Sequence, residues 1–102
     1  MLRLGQVLRE ELDGLLRDDV RDPALDGVRV CGVELSVDGR HAKVHVTATA
    51  GAARERIERA FERVTPFLRG HLADALDLKF VPALRFVLVE GVWRGEDARE
   101  DS

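Results

Sequence analysis

The sequence predicts an α+β domain whose elements follow the order α-β-β-α-α-β. Three observations carry this prediction. Residues 4–20 place apolar side chains at helical spacing, residues 28–49 alternate as two strands, and residues 54–89 carry two helical stripes and then a strand. Because two helices separate the second strand from the third, the third strand can return parallel to the second. The expected architecture is a three-stranded mixed sheet with the helices on one face.

The first helix is predicted over residues 4–20 from a broad apolar stripe. Gly5 and Gly14 lower its intrinsic propensity, so packing rather than propensity is expected to hold it. Asp22-Pro23 should end the helical region, since the residue before proline is pushed to an extended conformation. Asp26-Gly27 then marks a turn. The stripe consists of Leu4, Val7, Leu8, Leu12, Leu15 and Leu16.

A β-hairpin is predicted over residues 28–49. The apolar parity changes at Cys31-Gly32, and a glycine at such a change indicates a β-bulge. Cys31 itself is expected to be a small core or half-buried residue. Asp38-Gly39 provides a tight turn, and residues 41–49 form the return strand with one buried and one wet face.

Two helices meeting at a corner are predicted between the hairpin and the last strand. The first has one apolar stripe over residues 54–64, and Thr65-Pro66 follows it. Proline should break a continuous helix, whereas Thr65 as N-cap with Pro66 at the first helical position would start a new one. The second helix then carries Phe67, and the last strand covers residues 84–89.

Length and composition indicate one domain with a modest core. The chain has 102 residues and a net charge of −3, which argues against non-specific nucleic-acid binding as a whole. The acidic residues concentrate toward the two ends, so the middle can present a local basic face. We predict a domain over residues 1–89 and a charged, flexible tail over residues 90–102, with Trp93 folding back on the sheet or contacting a partner.

Cysteine usage and hydropathy bear on the compartment. The single cysteine excludes an internal disulfide and fits a reducing cytoplasm. No apolar run approaches the length of about 20 residues that spans a membrane. We therefore predict a cytoplasmic protein without membrane association.

No catalytic, metal or cofactor site is predicted. His41 and His45 lie too far apart along one strand to share a metal readily, and His71 stands on a helix. The chain contains no Gly-rich phosphate loop and no nucleophile elbow. We predict a protein that is not an enzyme, with no cofactor and no small-molecule substrate.

A row of arginines is the strongest binding signal. Arg56, Arg59 and Arg63 fall at i, i+3 and i+7 beside the apolar stripe. Arg69, in the first turn of the predicted second helix, opposes the helix dipole, which makes sense if a phosphate docks at that N-terminus. The alternative is salt bridging within the helix to the neighbouring glutamates, and the spacing allows both. Those glutamates are Glu55, Glu58 and Glu62.

Several segments in order resemble the ribosome-binding factor A family. No single motif decides the match, but their order and spacing together are specific, and the resemblance covers about residues 4–89. The matching runs are Arg21-Asp22-Pro23-Ala24-Leu25, Val33-Glu34-Leu35-Ser36-Val37-Asp38, Ala42-Lys43-Val44-His45-Val46, Phe67-Leu68-Arg69, Leu76, Leu78-Lys79 and Val81-Pro82-Ala83-Leu84-Arg85-Phe86.

The resemblance implies a KH-like domain of the second type that binds the small (30S) ribosomal subunit and its 16S rRNA. It implies action in late maturation and rRNA processing, importance in cold adaptation, and a monomer when free. The family carries an Ala-x-Gly kink between its helices, where this chain has Val64-Thr65-Pro66. The RNA contacts predicted first are Arg59, Arg63, Thr65, Arg69 and Lys79, with Arg40, Lys43 and Arg85 as a second set.

A second class of function stays open at this point. The outer strand or hairpin could recruit a protein partner by edge pairing, with the arginines merely solvated. The negative total charge favours this alternative, and the family resemblance favours RNA. The two differ in salt dependence, which is steep when several phosphates are contacted.

Overall fold

The computed structural model describes residues 4–49 and 51–89. Two α-helices, a short 3-10 turn and three strands succeed one another within these ranges. The predicted tail over residues 90–102, with Trp93, lies outside the described residues. The elements are α1 (Leu4–Asp18), the 3-10 turn (Pro23–Leu25), β1 (Arg29–Leu35), β2 (His41–Thr47), α2 (Arg54–Ala75) and β3 (Ala83–Leu88).

The strands form a mixed sheet in the order β1-β2-β3. β1 and β2 are antiparallel, and β3 pairs with β2 in parallel register. The α+β class and the three-stranded mixed sheet are therefore confirmed, and the observed order is consistent with a KH-like domain.

The predicted bulge is present in β1. Val30 pairs with Val46 and Gly32 pairs with His45, so Cys31 is the extra residue of the bulged strand. The expectation that Cys31 is buried or half-buried is wrong, because the bulge leaves this side chain exposed. Its Sγ donates to the His45 carbonyl at 3.3 Å, and partial desolvation raises the pKa of the thiol.

The core lies between one face of the sheet and the two helices. β2 alternates as predicted, with Ala42, Val44 and Val46 buried toward the helices and the intervening positions exposed or half-buried. Phe61 of α2 stacks on Phe86 of β3 with ring centroids 4.0 Å apart and an interplanar angle of 9°. Such an aromatic pair stabilises a fold by about 1 kcal/mol beyond the contribution of the apolar area that it buries.

α1 ends at Asp18, two residues before the predicted end, and the extended conformation predicted for Asp22 before Pro23 is confirmed. The Asp22 side chain accepts a hydrogen bond from the Ala24 N–H at 3.0 Å and so caps the 3-10 turn. Gly27 follows with φ +79°, a conformation that glycine adopts without steric cost. This turn sends the chain from the end of α1 into β1.

The helix–helix corner predicted at Thr65-Pro66 is wrong. α2 runs without interruption from Arg54 to Ala75 and contains Pro66 in its interior. Thr65 is therefore no N-cap; its hydroxyl donates to the Phe61 carbonyl at 2.6 Å, one turn earlier in the same helix. The two predicted helices form one.

The helix tolerates Pro66 because of where the proline lies. Pro66 cannot donate to the Glu62 carbonyl, a loss that costs about 3 kcal/mol in a helix interior. Both residues are exposed or half-buried, so water can bind that carbonyl. On the opposite side of α2, Phe61, Leu68 and Leu72 are buried and fix the helix to the sheet on both sides of the proline.

Replacing this proline is expected to stabilise the protein. Pro66→Ala restores the N–H donor in α2 but also loosens the unfolded chain, so we expect the free energy of unfolding to rise by about 1–2 kcal/mol. Gly70→Ala is the matched control, because an added Cβ there meets nothing within 4 Å and should contribute about 1 kcal/mol. Urea denaturation measures both. A lower stability for Pro66→Ala alone would contradict a continuous helix.

Candidate nucleic-acid interface

The exposed surface of α2 has two flanks of different charge. One flank, here called the arginine flank, consists of Arg56, Arg59 and Arg63 and lies beside the 3-10 turn. The other, here called the β3 flank, carries Glu58 and Glu62 and lines a groove against β3. Residues three and four apart share a side of the helix, so the members of each flank are neighbours, although Arg59 also lies at this spacing from Glu55 and Glu62.

Arg63 anchors the arginine flank to the 3-10 turn. Its Nη2 lies 2.8 Å from Asp22 Oδ2, and the Arg63 side chain remains 58% exposed. The hydrogen bond from Arg63 lowers the pKa of Asp22, helped by the Ala24 N–H and by the charges of Arg63 and Arg56. Asp22 is therefore ionised at neutral pH, so it offsets part of the positive charge of this flank.

The remaining charge of the arginine flank is available to a ligand. Arg59 is exposed and makes no hydrogen bond or ion pair with any residue of the described chain. The alternative of salt bridging to the glutamates of α2 fails for all three arginines within residues 4–49 and 51–89, whereas Glu58 pairs with Arg54 at 3.6 Å. Within the described residues, the acids of α2 therefore form no ion pair with these three arginines.

Thr65, Arg69 and Lys79 lie away from the arginine flank. Thr65 lines the groove between α2 and β3, and its hydroxyl is bound to the helix backbone. Arg69 donates from Nη2 to the Val81 carbonyl at 2.7 Å and so ties α2 to the segment before β3. Since Arg69 is in mid-helix, the phosphate-binding N-terminus expected beside it does not exist. Lys79 is exposed in the same connecting segment.

The face of the sheet that is turned away from the helices is here called the open face. Two residues of the second predicted set lie on the open face, and the third lies at the end of the sheet, in the hairpin turn. Lys43 and Arg85 are direct neighbours across β2 and β3, and Glu34 of β1 pairs with Lys43 on the other side. Arg40 stands in the hairpin turn, where its N–H donates to Asp38 at 3.0 Å. The structure therefore does not bring the eight predicted residues into a single site.

Sequence reasoning missed one residue beside the arginine flank. The local pattern assigns Phe67 to an apolar stripe, but the structure leaves it 47% exposed. In one continuous helix the buried stripe runs through Val64 and Leu68, so Phe67 falls just outside it, four residues after Arg63. The i, i+4 spacing from Arg63 could have identified Phe67 as its neighbour, but this spacing places two residues side by side only in an uninterrupted helix.

A groove of about 530 Å³ adjoins Phe67. It lies between the end of α1, the 3-10 turn and α2, and we call it the junction groove. Its floor is apolar and its rim carries charges of both signs. The lining residues are Asp19, Val20, Arg21, Asp22, Pro23, Arg63, Val64 and Phe67.

Metal-ligating side chains do not cluster in the part of the chain that the structure describes. No group of three or more His, Cys, Asp or Glu side chains there could hold a metal ion. None of the helices in the described ranges is long and apolar enough to cross a bilayer. What the described surface offers is positive charge, an exposed ring and a groove.

The fold and this surface define a class: a small KH-like α+β domain with a basic helix flank. The ribosome-binding factor A family model matches residues 1–100. The chain belongs to the ribosome-binding factor A family.

Individual relatives agree over most of their length. A ribosome-binding factor A of Heliobacterium modesticaldum is 40% identical over 96 residues, which cover 93% of this chain and 79% of that protein. One from Sorangium cellulosum is 42% identical over 93 residues, covering 87% of this chain and 74% of that protein. The names of both relatives refer to ribosome binding and not to a reaction.

Solved structures of the family share the fold. The crystal structure of ribosome-binding factor A from Thermus thermophilus aligns with a TM-score of 0.76 at 29% identity, covering 83% of this chain and 90% of that one. A Thermus thermophilus homology model fitted into a cryo-EM map of a 30S-RbfA complex aligns with a TM-score of 0.71 at 28% identity, covering 86% of this chain and 93% of that one.

Proposed function

We propose that this protein is a ribosome assembly factor that binds the small (30S) ribosomal subunit through its 16S rRNA. It acts in the cytoplasm during late maturation and rRNA processing, matters most in the cold, and is a monomer when free. It performs no chemistry and works by binding. The observation that carries the proposal is the family match over residues 1–100, joined to a Thermus thermophilus relative fitted into a 30S complex.

The arginine flank supplies a physical basis for RNA binding. Arg59 has no acidic partner in the described chain, and Arg56 and Arg63 share one carboxylate between them. Arginine presents a planar set of donors that fits phosphate oxygens. The net charge of −3 does not oppose RNA binding, because salt screens charges over about 8–10 Å. A phosphate at the arginine flank therefore interacts mainly with the charges nearest to it.

Co-sedimentation with purified small subunits at low and at high salt tests the proposal. We expect binding to the small subunit at low salt, little binding to the large subunit, and a loss of affinity of roughly tenfold or more over a few-fold increase in salt. Large subunits are the matched control, since their RNA presents the same phosphate chemistry. Equal binding to both subunits, or none by the folded protein at low salt, would contradict the proposal.

The second candidate is a protein-interaction module that uses the sheet edge. β3 is the last strand in the sheet order, and no described strand pairs with its outer edge. The outer edge of β1, by contrast, is partly covered, because Asp13 accepts the Val30 N–H at 3.0 Å. Salt-insensitive capture of a partner, together with no affinity for small subunits, would favour this candidate.

A further inference from the structure

We propose that Phe67 and the arginine flank form a binding site for single-stranded RNA, in which an unpaired base stacks on Phe67 while Arg59 and Arg63 contact the phosphates. This rests on the proposed function and deepens it, since it names the form of RNA that this surface takes. Arg59, Arg63 and Phe67 follow one another at i, i+4 and i+8 along α2.

The spacing gives the site its linear form. Side chains four residues apart on a helix are neighbours, with Cβ atoms about 5–6 Å apart. Two guanidinium groups and one ring therefore make a short row, and His71 extends it with a ring centroid 5.7 Å from that of Phe67. Cations in line with an aromatic ring are the pattern by which proteins hold single strands: charge follows the backbone and rings stack the bases.

The Phe67 ring contacts His71 and is otherwise largely open to a ligand. The side chain is 47% exposed although the apolar floor of the junction groove lies beside it. A ring exposed next to a groove of about 530 Å³ leaves room for a second flat group against its face. Nucleobases are such groups, and every base offers a face to an aromatic ring.

The helix surface around Phe67 carries few long side chains. Pro66 and Gly70 stand beside it, both exposed and both unfavourable in a helix interior. A Cβ at Gly70 would meet nothing within 4 Å, so packing does not require glycine there. Both residues lower helix stability, and they flank the exposed Phe67 ring. Because neither carries a long side chain, a base and its sugar can approach the helix surface there.

The charges beside the junction groove leave room for phosphate contacts on α2. The junction groove carries Asp19 and Asp22 on its rim, and Asp22 is already neutralised by Arg63. Arg63 keeps 58% of its side chain exposed beside Asp22, and Arg59, one helical turn from the groove, has no acidic partner in the described chain. The groove beside Phe67 is thus the subsite for the base, and the arginines of α2 form a neighbouring subsite for the phosphates of the same strand.

Fluorescence anisotropy with labelled RNA tests the site. The probes are a short single-stranded oligoadenylate and a blunt-ended RNA duplex of the same length, at low salt. We expect the single strand to bind more tightly than the duplex. Phe67→Ala and Phe67→Leu should each weaken single-strand binding by about 5- to 150-fold, the range for loss of one stacked base. Phe67→Trp should keep the affinity.

Phe80→Ala is the matched control, because Phe80 is 56% exposed but lies outside the row. Its affinity should equal that of the unmodified protein. A spectroscopic signature is independent of affinity: in a Trp93→Phe background, Phe67→Trp should show indole fluorescence that single-stranded RNA quenches. Unchanged single-strand affinity in folded Phe67→Leu, or tighter binding to the duplex, would overturn the inference.

The proposed function and this inference fail separately. If Phe67→Leu binds the oligoadenylate like the unmodified protein, stacking is wrong, even where small-subunit binding is intact. If small-subunit binding is absent while the oligoadenylate binds through Phe67, the site is right and the ribosomal partner is wrong.

Discussion

Reversing the charge of Arg56 and Arg59 together is expected to weaken binding to small subunits about 100-fold at about 0.1 M salt. Each phosphate contact contributes close to one power of ten at that salt concentration, and two are lost. Both residues are exposed on α2, and Arg56 acts on Asp22 through its charge without a hydrogen bond to it in the described chain. The folded state should therefore survive Arg56→Glu with Arg59→Glu, which circular dichroism and the urea midpoint check.

Arg63 is deliberately left out of this variant. Its guanidinium pairs with Asp22 at 2.8 Å, so Arg63→Glu would set two carboxylates against each other beside the 3-10 turn. Loss of binding would then be confounded by local unfolding. Arg69 is excluded for a similar reason, since it holds the Val81 carbonyl.

The open face supplies a charge-matched control. Lys43→Glu with Arg85→Glu changes the net charge by the same amount, and these residues are neighbours across β2 and β3 on the other side of the sheet. Because Glu34 is the partner of Lys43 in β1, circular dichroism and the urea midpoint check the folded state of this variant too. We expect the affinity of this variant for small subunits to fall by less than about tenfold, which is the part that non-specific electrostatic attraction contributes. Equal losses in both double variants would show that overall charge decides binding and would remove the arginine flank as the RNA site.

Asp13→Asn is expected to lower the free energy of unfolding by about 2 kcal/mol at neutral pH. The Asp13 carboxylate accepts hydrogen bonds from Arg29 Nε at 3.0 Å, from Arg29 Nη2 at 2.8 Å and from the Val30 N–H at 3.0 Å. Its side chain is only 11% exposed. Hydrogen bonds to a charged group contribute about 1.5–3 kcal/mol, and an amide cannot accept both guanidinium donors.

The effect of Asp13 depends on pH in a defined direction. The hydrogen bond from Arg29 lowers the pKa of Asp13 below its usual 3.8, and burial opposes this in part. A carboxyl with a lowered pKa in the folded state stabilises the fold above the unfolded pKa and ceases to do so as the pH falls through the folded one. The difference between Asp13→Asn and the unmodified protein should therefore be full above about pH 4 and shrink below it.

Urea denaturation at a series of pH values measures this difference. Asp18→Asn is the control, because it removes the same charge from the same helix at an exposed position in the last turn. Negative charge there opposes the helix dipole, so this variant should be neutral or slightly stabilising. Parallel pH profiles for Asp13→Asn and the unmodified protein would contradict the assigned role.

Much of the fold was predictable because its signals are local. The return strand alternates strictly, and the parity change at Cys31-Gly32 led directly to the bulge. After α1 has ended at Asp18, Asp22-Pro23 and Gly27 turn the chain through backbone preferences that act within a few residues. The long connection between β2 and β3 fixed the parallel pairing.

The continuity of α2 and the composition of the site were decided by the tertiary structure. A proline in a local window predicts a break, and only packing of Phe61, Leu68 and Leu72 on the sheet outweighs its cost. That one difference moves Thr65 and Arg69 away from the arginine flank and exposes Phe67 beside it. Local preferences therefore determined where the elements lie along this chain, whereas packing determined the phase of α2 and so which of its side chains share a surface.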